Sequence, residues 1–336
     1  MMTSDKPSQT IAGMPGADVS SATVRQCTLT REVSCSGAGL HSGRRVSMIL
    51  HPAPPDSGIV FRRIDSQARG AAIPAIWRNA ETSAFCTTLQ NAQGVRVRTV
   101  EHLMCALYAC EIDNVEVGID GDEVPILDGS AAPFVSLIKE AGIEVQAAPR
   151  RFLRLLKAVE VREGKSRLTI RPAAGFTIDL ILAMPDFGLM RWSGDASPSV
   201  VQQEIAPART YGRLKEALPV LLAGRLGGSS LFRGASLKNA VVVHGRRVLN
   251  RGGLRMPDEF VRHRVLDIIG DLRLAGGPLL CAVEAVRTRH SFNRRLLFAL
   301  FGDESAWCWT ALMATPSAEP PAATRDQRHI NQEIAP

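Results

Sequence analysis

The chain has 336 residues, 45% hydrophobic and 22% charged, which suits one large or two medium globular domains. No run of about 18 apolar residues occurs, which excludes a helical membrane span. Aromatics at 5%, with no stacking motif, argue against a nucleic-acid partner. The net charge of +7 is uneven: 12 Lys/Arg against 16 Asp/Glu up to Pro149 gives −4, and 28 against 17 beyond it gives +11.

Residues 1–22 are rich in Ser, Thr, Pro, Gly and Ala, lack the apolar core of a secretory signal, and read as a disordered tail. A first α+β domain is expected over 23–147. Within it, Val46-Met48-Leu50 and Val95-Val97-Thr99 each mark one face of a strand. From Val100 to Glu111, Leu103, Ala106, Leu107 and Cys110 recur at helical spacing, placing Glu101 and His102 in a first helical turn. Val115-Val117-Ile119 reads as a strand, and Ser130 as the cap of a helix ending before Gly142. The second domain, 148–312, opens with strands around Leu153–Val161 and Leu168–Ile170 joined by a Glu163-Gly164 turn, then Phe176–Leu182. The polar, Pro-rich stretch 313–336 reads as a second disordered tail. Seven cysteines without a C-x-x-C pair suggest reduced thiols in a cytoplasmic protein, Cys86 among them in a packing role.

The chemistry is carried by His263, Asp267 and Asp271. Their i, i+4, i+8 spacing puts all three on one helix face, between apolar Val265, Leu266, Ile268, Ile269 and Leu272. A polar stripe on a helix buried elsewhere suits a metal or acid–base site; the competing reading is a buried ion-pair network with Arg262 or Arg264. Two ligands from this helix leave room for a third and for one open position, as at a catalytic zinc. His102 is the candidate third ligand. Neighbouring helical residues point about 100° apart, so Glu101 can serve as a base while His102 binds metal. Taken alone, a Glu-His pair opening a helix also fits a capping carboxylate beside a partly buried histidine.

Several blocks in order resemble the UDP-3-O-acyl-N-acetylglucosamine deacetylases, metal-dependent enzymes of lipid A synthesis in Gram-negative bacteria. They are Gly37–Gly43, Thr99–Leu103, Ile112–Asn114, Val124–Phe134, Ala208–Gly212, Arg233–Leu237 and Asp258–His263, with His290 after them. The resemblance implies two similarly folded domains whose helical layers pack together between two β-sheets, with the site at the domain interface. It implies His102, His263 and Asp267 as ligands of Zn²⁺ (Fe²⁺ also fits), and Glu101 as general base. His290 would be the cationic partner, oriented by Asp271, and Thr210 an oxyanion donor. Arg264, His41 and Tyr211 would contact a UDP-linked acylated glucosamine. An insert at about 210–241 would line an acyl tunnel with Leu214, Leu218, Val220, Leu221, Leu222, Leu226, Leu231 and Phe232. A cytoplasmic monomer is expected, with peripheral membrane contact at most.

Three positions depart from the family pattern. Arg264 and Ser166 stand where lysines are usual, with Lys165 next door, and Lys238 where an acid is common. Arg presents a planar fork where Lys offers a compact charge, so a divergent or non-catalytic paralogue binding a related nucleotide sugar or anionic lipid is the alternative. The basic pairs Arg246-Arg247 and Arg294-Arg295 are candidates for holding a diphosphate.

Overall fold

A computed structural model describes residues 23–65, 71–81, 85–225 and 231–314. The first expected tail, residues 315–336 of the second, and Leu226 of the insert therefore lie outside the described residues, whereas Met313, placed in the second tail, forms an antiparallel bridge to Thr23. Six helices are seen there: α1 (Glu101–Ala109), α2 (Ala132–Ala141), the single turn α3 (Pro198–Val200), α4 (Leu214–Arg225), α5 (Glu259–Leu272) and α6 (His290–Phe301).

The first half is built on a five-stranded sheet in the order Val33–Ala38, Arg45–Pro52, Val115–Ile119, Ile59–Arg63, Ala72–Pro74. Alternation of buried Val46, Met48 and Leu50 with outward neighbours gives the Arg45–Pro52 strand one core face. A three-stranded sheet, Ala80–Glu81, Thr88–Gln90 and Arg96–Arg98, leads into α1. The last of these strands stops one residue short of the expected Thr99. Thr99 has φ +59°, a left-handed conformation that costs a β-branched residue about 1–3 kcal/mol and turns the chain sharply into α1. Its hydroxyl donates to Glu123 Oε1 at 3.1 Å. Ser130 sits one residue further from α2 than a cap would, its Oγ accepting from Ala132 N at 3.3 Å.

Strand Ile143–Pro149 pairs with Arg25–Leu29, and Arg151–Leu155 opens the sheet of the second half. That sheet runs Val159–Glu163, Ser166–Pro172, Leu279–Val286, Arg151–Leu155, Trp307–Ala311; Phe176–Met184 joins it parallel to Leu279–Val286 and pairs with Gly188–Asp195. The single strand expected over Leu153–Val161 is therefore two, interrupted at residues 156–158 where Leu156 is exposed.

Every residue of α1 is buried, and α5 is buried on most of its circumference. Each of these two helices packs against the other, α2 also packs against α1, and α6 against α5. The molecule is thus an α+β protein with its helical layers between two sheets. Gly270 makes the central contact possible, because a Cβ there would overlap the Glu101 carbonyl oxygen. All seven cysteines are free thiols. Among the described residues no helix is long and apolar enough to cross a membrane.

Candidate active site

The α1–α5 contact brings the two polar segments together. His102 on α1 meets His263 and Asp267 on α5, one ligand atom of each lying within 4.8 Å of the others. The imidazoles stand edge to face, 4.9 Å between centroids. Asp267 Oδ1 is 3.4 Å from His263 Nε2 and 3.9 Å from His102 Nε2. His263 Nδ1 faces the Ala208 carbonyl at 3.1 Å, which orients its ring and turns Nε2 toward the cluster. Burial, with mutual repulsion next at His102, pushes both imidazoles down to about 3. Neutral imidazoles are what metal coordination requires.

Glu101, 2% exposed, is raised well above the ordinary carboxylate range by burial, against the pull of cationic His290. His290 begins α6, with Nδ1 on Asp271 Oδ2 at 2.9 Å. Burial opposes its charge, but Asp271 and Asp267 outweigh that and raise it to about 10. A second cluster, Glu101, Asp267 and His290, also lies within 4.8 Å. An imidazole held protonated is a poor ligand, which favours the two-histidine set for a cation.

A cavity of about 450 Å³ opens onto this cluster. Glu101, His102, His263, Asp267, His290, Thr210, Tyr211 and Arg264 all line it. Tyr211 packs its ring 5.0 Å from Phe260 and 6.0 Å from His263. Asp271 lies one layer back. His41 is wholly buried, its ring 5.1 Å from Phe232 and its backbone N–H donating to Glu123 Oε1 at 2.8 Å; the cavity wall there is Leu40 and Phe232. Arg262 turns away to Asp258 and Glu204, whereas Arg264 places Nη1 3.0 Å from Asp267 Oδ2. Part of the competing ion-pair network therefore exists beside the cluster. Among the described residues it leaves Asp267 Oδ1 and His102 Nδ1 without hydrogen-bond partners.

The apolar wall differs from expectation. Leu218 and Leu222 are about half exposed, and α4 shows the cavity Glu216 and Ala217. Phe85, Phe232, Ala235, Ala240 and Val242 supply the rest. The tight turn at Phe232 (φ +61°) carries that ring inward, a placement helical periodicity could not show. Arg294 donates to the Ala80 carbonyl and Arg295 to Glu163; the arginines on the cavity wall, among the described residues, are Arg213, Arg264 and Arg289. Ser166 Oγ donates to the Arg287 carbonyl at 2.9 Å, and Lys165 lies in the exposed turn before it.

The model of one family, described as UDP-3-O-acyl N-acetylglycosamine deacetylase, matches residues 26–302. The chain belongs to this family. Relatives named UDP-3-O-acyl-N-acetylglucosamine deacetylase include one from Myxococcus xanthus, 43% identical over 84% of this chain and 88% of its own. Another, from Xanthomonas oryzae pv. oryzae, is 42% identical over 85% and 93%. A third, from Syntrophotalea carbinolica, is 40% identical over 84% and 90%. Members of this deacetylase family are metal-dependent, and the donor set here fits a divalent cation. Two neutral imidazoles and a carboxylate oxygen converge, and among the described residues a buried Asp267 oxygen has no hydrogen-bond partner.

Two residues of the site escaped sequence reasoning. Glu123, fully buried, accepts from the N–H groups of His41 and Ser42, both at 2.8 Å, and so pins the Gly39–Gly43 turn to Thr99. Thr87 contacts both Glu101 and His290. A carboxylate five residues before Asp128 gave no periodic signal, and neither the backbone nor the hydroxyl contacts of Thr87 leave a mark in the sequence around it.

Proposed function

We propose that this chain hydrolyses the acetamide of UDP-3-O-acyl-N-acetylglucosamine, giving acetate and the free 2-amine in lipid A biosynthesis. His102, His263 and Asp267 hold a Zn²⁺ ion, Fe²⁺ being the other cation this ligand set accepts. The observation that carries the reading is the convergence of those three donors on a cavity wall that Glu101 also lines. When bound, the cation polarises the acetamide carbonyl and lowers the pKa of water.

Glu101 takes the proton of the attacking water. Its Oε2 already accepts from Thr87 N at 3.0 Å, leaving the other oxygen as the proton acceptor. His290, held through Nδ1, presents Nε2 to the cavity and protonates the nitrogen as the C–N bond breaks. The Thr210 hydroxyl donates to the developing oxyanion, a contribution of about 3 kcal/mol where such donors are preorganised. Its backbone N–H is tied to the Gly129 carbonyl at 2.7 Å. Arg264, kept charged by Tyr211 and Asp267 against its burial, and Tyr211 contact the sugar nucleotide. The apolar wall from Leu40 to Val242 takes the acyl chain. We take the protein to act as a cytoplasmic monomer with peripheral membrane contact at most.

Acetate release by the purified protein, with and without a chelator, tests this. Loss of release on chelation and its return with Zn²⁺ are expected; release indifferent to chelation overturns the mechanism. A chain that retains metal and releases no acetate would instead be a retuned paralogue, the reading that Arg264 and Ser166 favour.

The pH profile checks His290. Its raised pKa means that the protonated form persists through neutrality and is lost as pH rises through about 10. Asp271→Asn removes the largest charge supporting it, so the alkaline limb of kcat should move down by roughly 1–3 units. An unmoved limb would assign that titration to another group.

A further inference from the structure

We infer that Thr87 is a positioning residue that holds the base and the acid of the reaction in one register. It directly precedes strand Thr88–Gln90, is 6% exposed, and reaches three elements at once. Its N–H donates to Glu101 Oε2 at 3.0 Å, and its carbonyl accepts from Val100 N at 3.4 Å, so its backbone clasps the first turn of α1. Its hydroxyl donates to Asp271 Oδ1 on α5, and the same oxygen lies 3.3 Å from His290 Nδ1 at the start of α6.

The donor count gives this arrangement its consequence. Asp271 is 2% exposed, and its Oδ2 accepts from His290 Nδ1 and from Asn293 Nδ2, the latter at 2.7 Å. Among the described residues the donor to Oδ1 is Thr87. Without that hydroxyl a buried carboxylate oxygen is left bare, at a cost greater than the bond itself is worth. The carboxylate then gains by rotating, and rotation moves Oδ2 away from the line that points His290 Nε2 into the cavity. Thr87 thus fixes which oxygen of Asp271 serves His290, while its backbone fixes which oxygen of Glu101 is left for the proton.

The inference rests on the acid–base roles proposed above, and a substitution series separates the two. Thr87→Val removes the hydroxyl and keeps both backbone bonds; Thr87→Ser restores the donor. Steady-state deacetylation by the metal-loaded protein should show kcat down at least about tenfold in Thr87→Val, part of the 10²–10⁴ that positioned proton transfer supplies. KM should be nearly unchanged, and Thr87→Ser should recover most of the loss. In an Asp271→Asn background, Thr87→Val should add little further loss, because both changes break one arm. Full activity in Thr87→Val, failure of Thr87→Ser to recover it, or losses that multiply with Asp271→Asn would each overturn the role of Thr87. An inactive parent protein would instead remove the acid–base reading beneath it.

Discussion

Replacing Glu101 with Gln is expected to lower kcat about 100- to 10,000-fold, the range for a positioned general base, while the metal stays bound. Gln keeps the shape of the side chain and an oxygen to accept from Thr87 N–H. It removes the basic oxygen and a buried charge whose desolvation already raises its pKa. The thermal midpoint should therefore hold or rise. Metal content discriminates between the two clusters that could hold a cation. If the ion sits on His102, His263 and Asp267, Gln at 101 leaves the ligand set whole. If it sits on Glu101, Asp267 and His290, the substitution removes a ligand and the metal is lost with the activity. Metal analysis beside single-turnover acetate release reads both outcomes on one preparation.

The α5 stripe was legible because a helix repeats every 3.6 residues, so His263, Asp267 and Asp271 share a face wherever the helix lies. The residues of α1 were legible by the same periodicity. Their meeting was less so: nothing local in either segment states that Gly270 abuts the Glu101 carbonyl, and His102 was a candidate partner for the stripe that the resemblance strengthened. Residues acting through backbone groups or across layers left no local trace. Thr87 looks like any Thr beside a strand, and Glu123 like a loop carboxylate until its donors from Gly39–Gly43 and Thr99 are in place. The apolar wall misled for a related reason. Leu218 and Leu222 satisfy the amphipathic pattern of α4 yet remain exposed, because the helix turns its Glu216–Ala217 side to the cavity. Periodicity identifies a face, and the tertiary contacts decide which way it looks.

Gly270→Ala should damage both stability and catalysis, and the two effects share one cause. In an open helix the change gains about 1 kcal/mol, since Gly is the poorer helix former. Here the new methyl would fall on the Glu101 carbonyl, a backbone atom that no rotamer change can move aside. Overpacking of this kind costs about 1–3 kcal/mol or more, so the balance is expected to be destabilising and to lower the thermal midpoint by several degrees. Relief comes only by sliding α1 and α5 apart. His102 lies on one of these helices and His263 and Asp267 on the other, so the separation opens the donor set directly. Weaker metal retention and a loss of kcat larger than the stability change alone explains should follow, measured at a temperature where the variant remains folded. Gly175→Ala is the control, because a Cβ there meets nothing within 4 Å. Should Gly270→Ala keep its metal affinity while melting earlier, the helix contact would support the fold without setting the spacing of the ligands.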